Sequence, residues 1–105
     1  MSPGAPKRDL QPFYSPRSIA VVGAGDRPTS SGGAVLHLLE QSGFVGPIVP
    51  VNPKGGTIRN LLVRRSLREL ASPVDLCVIV IRPDLILDAV REAIATGHRN
   101  LLILP

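Results

Sequence analysis

Short aliphatic runs alternate along this chain with stretches whose apolar residues recur at helical spacing, and glycine or proline marks most of the changeovers. Ser18 to Ala24 (Ser-Ile-Ala-Val-Val-Gly-Ala) is a β-branched run closing on glycine, the pattern of a buried strand that delivers the chain into a tight turn. From Gly32 to Ser42 the period changes. Val35, Leu36, Leu38 and Leu39 form an apolar stripe, and Gly43 stands where a helix stop is needed. Pro47 to Val51 reads as a second short strand whose prolines interrupt hydrogen bonding at its ends, followed by a sharp turn over Asn52 to Gly56. Thr57 to Val63 is expected to contain a short edge strand. Ser66 to Ala71 is expected to form a turn or two of helix, with Ser66 and Glu69 making a capping box. Asp75 to Ile81 is the most hydrophobic segment and reads as a central strand buried on both faces. Leu87, Val90, Ala93 and Ile94 then recur at helical spacing between Pro83 and Thr96, with Gly97 as the stop, and Asn100 to Leu104 is a last strand.

Strands alternating with helices in this way predict an α/β fold: a Rossmann-like three-layer domain built on a mostly parallel sheet. At 105 residues the chain suits one domain, and its apolar fraction of 44% is almost wholly aliphatic, with Phe13, Tyr14 and Phe44 as the aromatics. Residues 1–12, rich in proline and small polar side chains, are expected to be a disordered leader, with the domain over 13–105. Such a domain ordinarily continues beyond its last strand into another loop and helix. A chain stopping at Pro105 is therefore expected to be truncated at its C-terminus.

The formal charge of +4 suits either nucleic acid or a phosphate-bearing small ligand. Arg59, Arg64, Arg65 and Arg68 lack interleaved aromatics on which bases could stack, so they read as a solvated basic face and no nucleic-acid partner is expected. Cys77 is the only cysteine and lies in an aliphatic run, which makes it a core residue and not a nucleophile. No segment reaches the ~18 apolar residues that a membrane span requires, so a cytoplasmic protein without membrane contact is expected. His37 and His98 are expected to be surface or helix-end groups, and no metal site is expected.

The chemistry concentrates in the loop after the first strand, Gly23-Ala-Gly-Asp-Arg-Pro-Thr-Ser-Ser-Gly32-Gly33. Glycines allow close approach to a ligand, and the N–H groups and dipole at a helix start favour phosphate oxygens. The dinucleotide fingerprint is not met, because the glycine after Gly23-x-Gly25 is Gly32 and lies too far on. A P-loop is excluded because no Gly-Lys-Ser/Thr follows. At the tip of the second strand, where NAD binders place an acidic residue for the ribose hydroxyls, the chain carries Lys54. A cation there favours a phosphorylated ribose, as in NADP or coenzyme A, while a solvated turn lysine is equally compatible with the local pattern.

Phe13-Tyr-Ser-Pro-Arg-Ser-Ile-Ala-Val-Val-Gly-Ala and Gly46-Pro-Ile-Val-Pro-Val-Asn-Pro-Lys-Gly-Gly closely resemble the coenzyme A-binding domain of the nucleoside-diphosphate-forming acyl-CoA synthetases, relatives of the succinyl-CoA synthetase α subunit. The resemblance runs through Ser66-Leu-Arg-Glu-Leu and Pro73-Val-Asp-Leu and covers about ninety residues. It implies that the first loop, with Gly23, Gly25, Ser30, Ser31 and Gly32, holds coenzyme A phosphates. It implies further that Val51, Pro53 and Lys54 meet the phosphorylated end of the cofactor, and that Ile81 and Pro83 border the adenine. Where the family has proline directly after the third strand, this chain has Arg82 and then Pro83. Arg82 reaching the phosphates and Arg82 occluding part of the adenine pocket both stay open.

The resemblance implies a coenzyme A-binding module of a larger synthetase, or of a related protein acyltransferase, that binds coenzyme A or acyl-CoA and is not catalytic alone. Its partners would be the downstream ligase and ATP-grasp domains of the parent protein. The residues themselves leave two alternatives: the NADP-binding domain of an oxidoreductase, and a stand-alone nucleotide-ligand sensor.

Overall fold

The structure, a computed structural model, describes residues 9–105. The expected leader therefore lies outside the described residues over 1–8. Regular structure begins at helix α1 (Gln11–Tyr14), two residues before the expected onset at Phe13. Pro12 has the φ that a first helical turn requires, and Phe13 packs against the core, so both help hold this turn in place.

Strands β1 (Ile19–Val22), β2 (Ile48–Val51), β5 (Leu76–Ile79) and β6 (Leu101–Ile103) form one fully parallel sheet in the order β2-β1-β5-β6. Helix α2 (Ser31–Gln41) covers one face and helix α3 (Pro83–Ala95) the other. The period of two along the strands explains the layering. Ile19, Val21, Leu76, Val78 and Val80 point toward Leu36 of α2, whereas Ala20, Cys77 and Ile79 point toward Ala93 of α3. Ala20, Cys77 and Ala93 are small and fully buried, which lets α3 lie close against the sheet.

Between β2 and β5 the chain departs from the expected outline. Thr57 to Val63 holds two short strands, β3 (Thr57–Ile58) and β4 (Leu61–Leu62), paired antiparallel. Their two-residue loop, Arg59 and Asn60, has φ of 51° and 65°, the arrangement whose twist suits a tight hairpin. The chain then runs along the outer edge of β2, where Arg64 donates its N–H to the Pro50 carbonyl at 2.9 Å. A strand residue's N–H and C=O point the same way, so the donor that Pro50 lacks would also have faced this edge, and β1 loses no bond.

The helix expected over Ser66 to Ala71 is a 3-10 turn, Leu67–Glu69. Ser66 Oγ accepts from Arg68 N–H at 3.0 Å, and the Glu69 carboxylate accepts from Arg65 N–H at 2.9 Å. The expected box is displaced by one residue at each end because a 3-10 turn is tighter than an α-helical one. The basic run does not form a uniformly solvated face. Arg59 is half-buried and paired with Glu40 of α2 at 2.6 Å, and Arg64 is half-buried, while Arg65 and Arg68 are exposed. No described helix is long and apolar enough to cross a membrane.

Candidate functional site

The sheet order puts β2 on one side of β1 and β5 on the other, so the chain leaves β1 toward one edge and later returns to its opposite side. In open α/β sheets the crevice beyond the strand ends at such a reversal is where ligands bind. Here three segments meet in that crevice: the loop after β1, the turn after β2 and the residues after β5. They are stitched together by the backbone. Gly23 and Ala24 N–H both donate to the Val51 carbonyl, at 2.9 and 3.2 Å, and Val80 N–H donates to the Val22 carbonyl at 2.8 Å.

The glycines serve this packing directly. Gly23 has φ of +93°, and a Cβ on it would lie 2.1 Å from the Val80 carbonyl oxygen. A Cβ on Gly32 would lie 1.9 Å from the Gly23 carbonyl oxygen. Their absence of a side chain brings the first turn of α2 against the tip of β1, and so aims that turn into the crevice.

Of the hydroxyls in the loop, that of Ser30 is already committed. It donates to the Arg27 carbonyl at 2.8 Å and accepts from Gly33 N–H at 3.1 Å, as the N-cap of α2. Ser31 and Gly32 occupy the first two positions of the helix. Their N–H groups have no partner among the described residues and point out at the positive end of the helix dipole. An anion placed there would find two backbone donors and the Ser31 hydroxyl.

Three hollows surround the loop and share walls. The first, of about 480 Å³, is lined by Gly23, Ser31, Gly32, Pro53, Ile81 and Arg82 among others. The second, of about 570 Å³, lies against Gly25, Arg27, Lys54 and Thr57. Ser30 and Asn52 line both. A smaller and mainly apolar third, of about 190 Å³, opens off the first between Val51, Pro53, Ile81, Leu85 and Ala89, with Arg65 at its wall. Together they form a trough with cationic side chains at Arg27, Lys54, Arg65 and Arg82 and carboxylates at Asp26 and Glu92.

The crevice therefore gathers nine of the ten residues singled out from sequence, from Gly23, Gly25, Ser30, Ser31 and Gly32 through Val51, Pro53 and Lys54 to Ile81. Pro83 is exposed at the first position of α3 and lines none of the three hollows. Arg82, just before it, lines the first hollow with its guanidinium 3.3 Å from the Asp84 carboxylate. An exposed pair of this kind is worth little and does not lock the arginine. Asn52 and Leu85 were missed. The Asn-Pro-Lys-Gly order, typical of an asparagine that bonds the backbone two residues on, was the available signal for Asn52.

Other reactive groups stand apart. Cys77 is fully buried in β5, and burial, with the charge of Glu92 nearby, pushes its thiol pKa up to about 12. His98 is not a surface residue: it is 4% exposed, and burial lowers its pKa below the usual 6.5 although a backbone hydrogen bond opposes this. Its Nε2 accepts from Val74 N–H at 3.2 Å and its Nδ1 lies 3.0 Å from Thr96 Oγ1. His37 is exposed on α2. No group of three metal-ligating side chains occurs among the described residues.

Comparison with known proteins gives a consistent picture. The family model of the CoA binding domain matches residues 17–105. The alpha subunit of an ADP-forming acetate–CoA ligase I from Pyrococcus furiosus is 33% identical over 100 residues, an alignment covering 91% of this chain and 21% of that subunit. The structure of a dinucleotide forming acetyl-coenzyme A synthetase 1 from Ca. Korarchaeum cryptofilum, in complex with phosphate and ADP, superposes with a TM-score of 0.83 at 29% identity, covering 89% of this chain and 20% of that one. A conserved hypothetical protein from Pyrococcus furiosus superposes with a TM-score of 0.77 at 38% identity, covering 85% of this chain and 75% of its own. The chain thus spans about a fifth of the length of the two larger proteins.

Proposed function

The chain belongs to the CoA binding domain family, and from that premise we propose that it holds coenzyme A along the trough as the binding module of a larger acyl-CoA synthetase forming a nucleoside diphosphate, or of a related protein acyltransferase. The diphosphate lies over the first turn of α2, taken by the N–H groups of Ser31 and Gly32. Lys54 meets the 3′-phosphate. Ile81, with Pro53 and Leu85 beside it, offers the apolar surface against which the adenine rests. Pro83, one step outside the hollows, borders that ring only if the adenine extends past Ile81.

The observation that carries this reading is convergence. Residues from three stretches far apart in the chain, Gly23 to Gly32, Val51 to Lys54 and Ile81, line one trough at the strand ends. That trough combines phosphate-binding donors, cations and an apolar hollow, which complement the diphosphate, the ribose phosphate and the adenine of coenzyme A. The module binds coenzyme A or acyl-CoA without chemistry of its own. Ligase and ATP-grasp domains of a parent protein would be its partners, in a cytoplasmic setting. Amide chemical-shift mapping tests the placement. Coenzyme A is expected to move the Ser31, Gly32 and Lys54 resonances most, and shifts confined to the opposite ends of the strands would refute it.

A further inference from the structure

Lys54 is followed by Gly55 and Gly56, whose φ of +65° and +86° turn the chain sharply. Its backbone is held by Asn52, whose side chain makes two bonds in opposite directions. Oδ1 accepts from Lys54 N–H at 2.9 Å, and Nδ2 donates to the Ala24 carbonyl in the glycine loop at 2.9 Å. The two partners, an N–H and a carbonyl, admit one orientation of the amide only. The main chain of Asn52 is held as well, its N–H donating to the Arg64 carbonyl at 2.8 Å and its carbonyl accepting from Gly55 N–H at 3.0 Å. The residue also lines both larger hollows, standing between the helix-start donors on one side and Lys54 on the other.

We infer that Asn52 is a positioning residue that sets the spacing between the phosphate-binding loop and Lys54, and thereby determines selectivity for a nucleotide with a phosphorylated ribose. The inference rests on the coenzyme A reading above. A ligand with a diphosphate and a separate ribose phosphate must find its two anion sites at a fixed separation. One side chain bridges the two segments that supply them. Alanine would lose both bonds. Serine would keep one, because its hydroxyl accepts from the N–H two residues on in the same manner as asparagine but is too short to reach the Ala24 carbonyl.

Calorimetric titration of the chain with coenzyme A and with dephospho-coenzyme A separates these roles. The unmodified protein is expected to prefer coenzyme A by about tenfold, the worth of a charge-assisted contact. Lys54→Ala should abolish that preference. Asn52→Ala should abolish it too, and adding Asn52→Ala to Lys54→Ala should reduce it no further. Asn52→Ser should lose most of the preference as well, because without the tether to Ala24 the two anion sites are no longer held at their spacing, although the Lys54 N–H keeps its acceptor.

An Asn52→Ala protein that folds and keeps the full preference overturns the inference and leaves the coenzyme A reading standing. A Lys54→Ala protein that keeps the preference removes Lys54 from the site, and the inference with it. Binding of neither ligand by the unmodified chain overturns the functional reading itself. If Asn52→Ala does not fold, Asn52→Ser decides. Loss of most of its preference for coenzyme A supports the inference, and the full preference kept overturns it.

Discussion

A Cβ on Gly32 would lie 1.9 Å from the carbonyl oxygen of Gly23, so the start of α2 and the tip of β1 touch backbone to backbone. Gly32→Ala must push the helix away from the strand, at a cost of about 1–3 kcal/mol for overpacking. The same shift moves the Ser31 and Gly32 donors. Gly43→Ala is the control: its φ of +78° makes alanine costly there, by about 1–2 kcal/mol, but nothing lies within 4 Å of the added carbon. Urea unfolding and coenzyme A titration of both variants should show stability lost in each and affinity lost only in Gly32→Ala. Equal affinity in the two would contradict the packing role assigned to Gly32.

His98 makes stability depend on pH in one direction. Because Nε2 accepts the Val74 N–H, the neutral ring carries its proton on Nδ1 and donates to Thr96 Oγ1, whose own hydroxyl donates to the Glu92 carbonyl at 2.8 Å. Protonation of Nε2 leaves the Nδ1 bond in place but sets two donors, Nε2–H and the Val74 N–H, against each other. Burial lowers the folded pKa below 6.5, so as pH falls the unfolded chain takes the proton first. The His98 contribution is complete above about pH 6.5, declines as pH drops through that value, and levels off below the folded pKa. Urea unfolding at a series of pH values should show this decline, and His98→Gln should flatten it. A decline of the same size in the variant would remove His98 as its source.

Cys77 should be inert while the protein is folded. A thiol whose pKa is about 12 supplies almost no thiolate near neutrality, and its burial denies access to reagents. Labelling with a thiol reagent at about pH 8 should proceed only through unfolding, accelerate in urea and slow when a ligand of the folded state is added. Rapid labelling without denaturant would contradict the buried placement on the face beneath α3.

The strands and both long helices were legible because their apolar periods are strong and their ends carry glycine or proline. The hairpin at Arg59 and Asn60 was not. Arginine seldom adopts positive φ, so only Asn60 hinted at a turn inside what reads as one strand. The pairing of Arg59 with Glu40 and the burial of His98 under Val74 are contacts between segments distant in the chain, which local pattern does not report. In the crevice, the glycine positions have a reason in the fold itself: Gly23 and Gly32 are required by the protein's own backbone, which in turn presents Ser31 and Gly32 to the crevice. Ser30 looked like a phosphate donor because its role as helix cap depends on where the helix starts, one residue earlier than the apolar stripe suggests.

Thermal unfolding of the chain in rising concentrations of coenzyme A, with NADPH in parallel, decides which of the two the trough holds, since a ligand that binds only the folded state raises the melting temperature with its concentration. Coenzyme A should raise it progressively and NADPH should leave it unchanged. A rise with NADPH and none with coenzyme A would contradict coenzyme A binding.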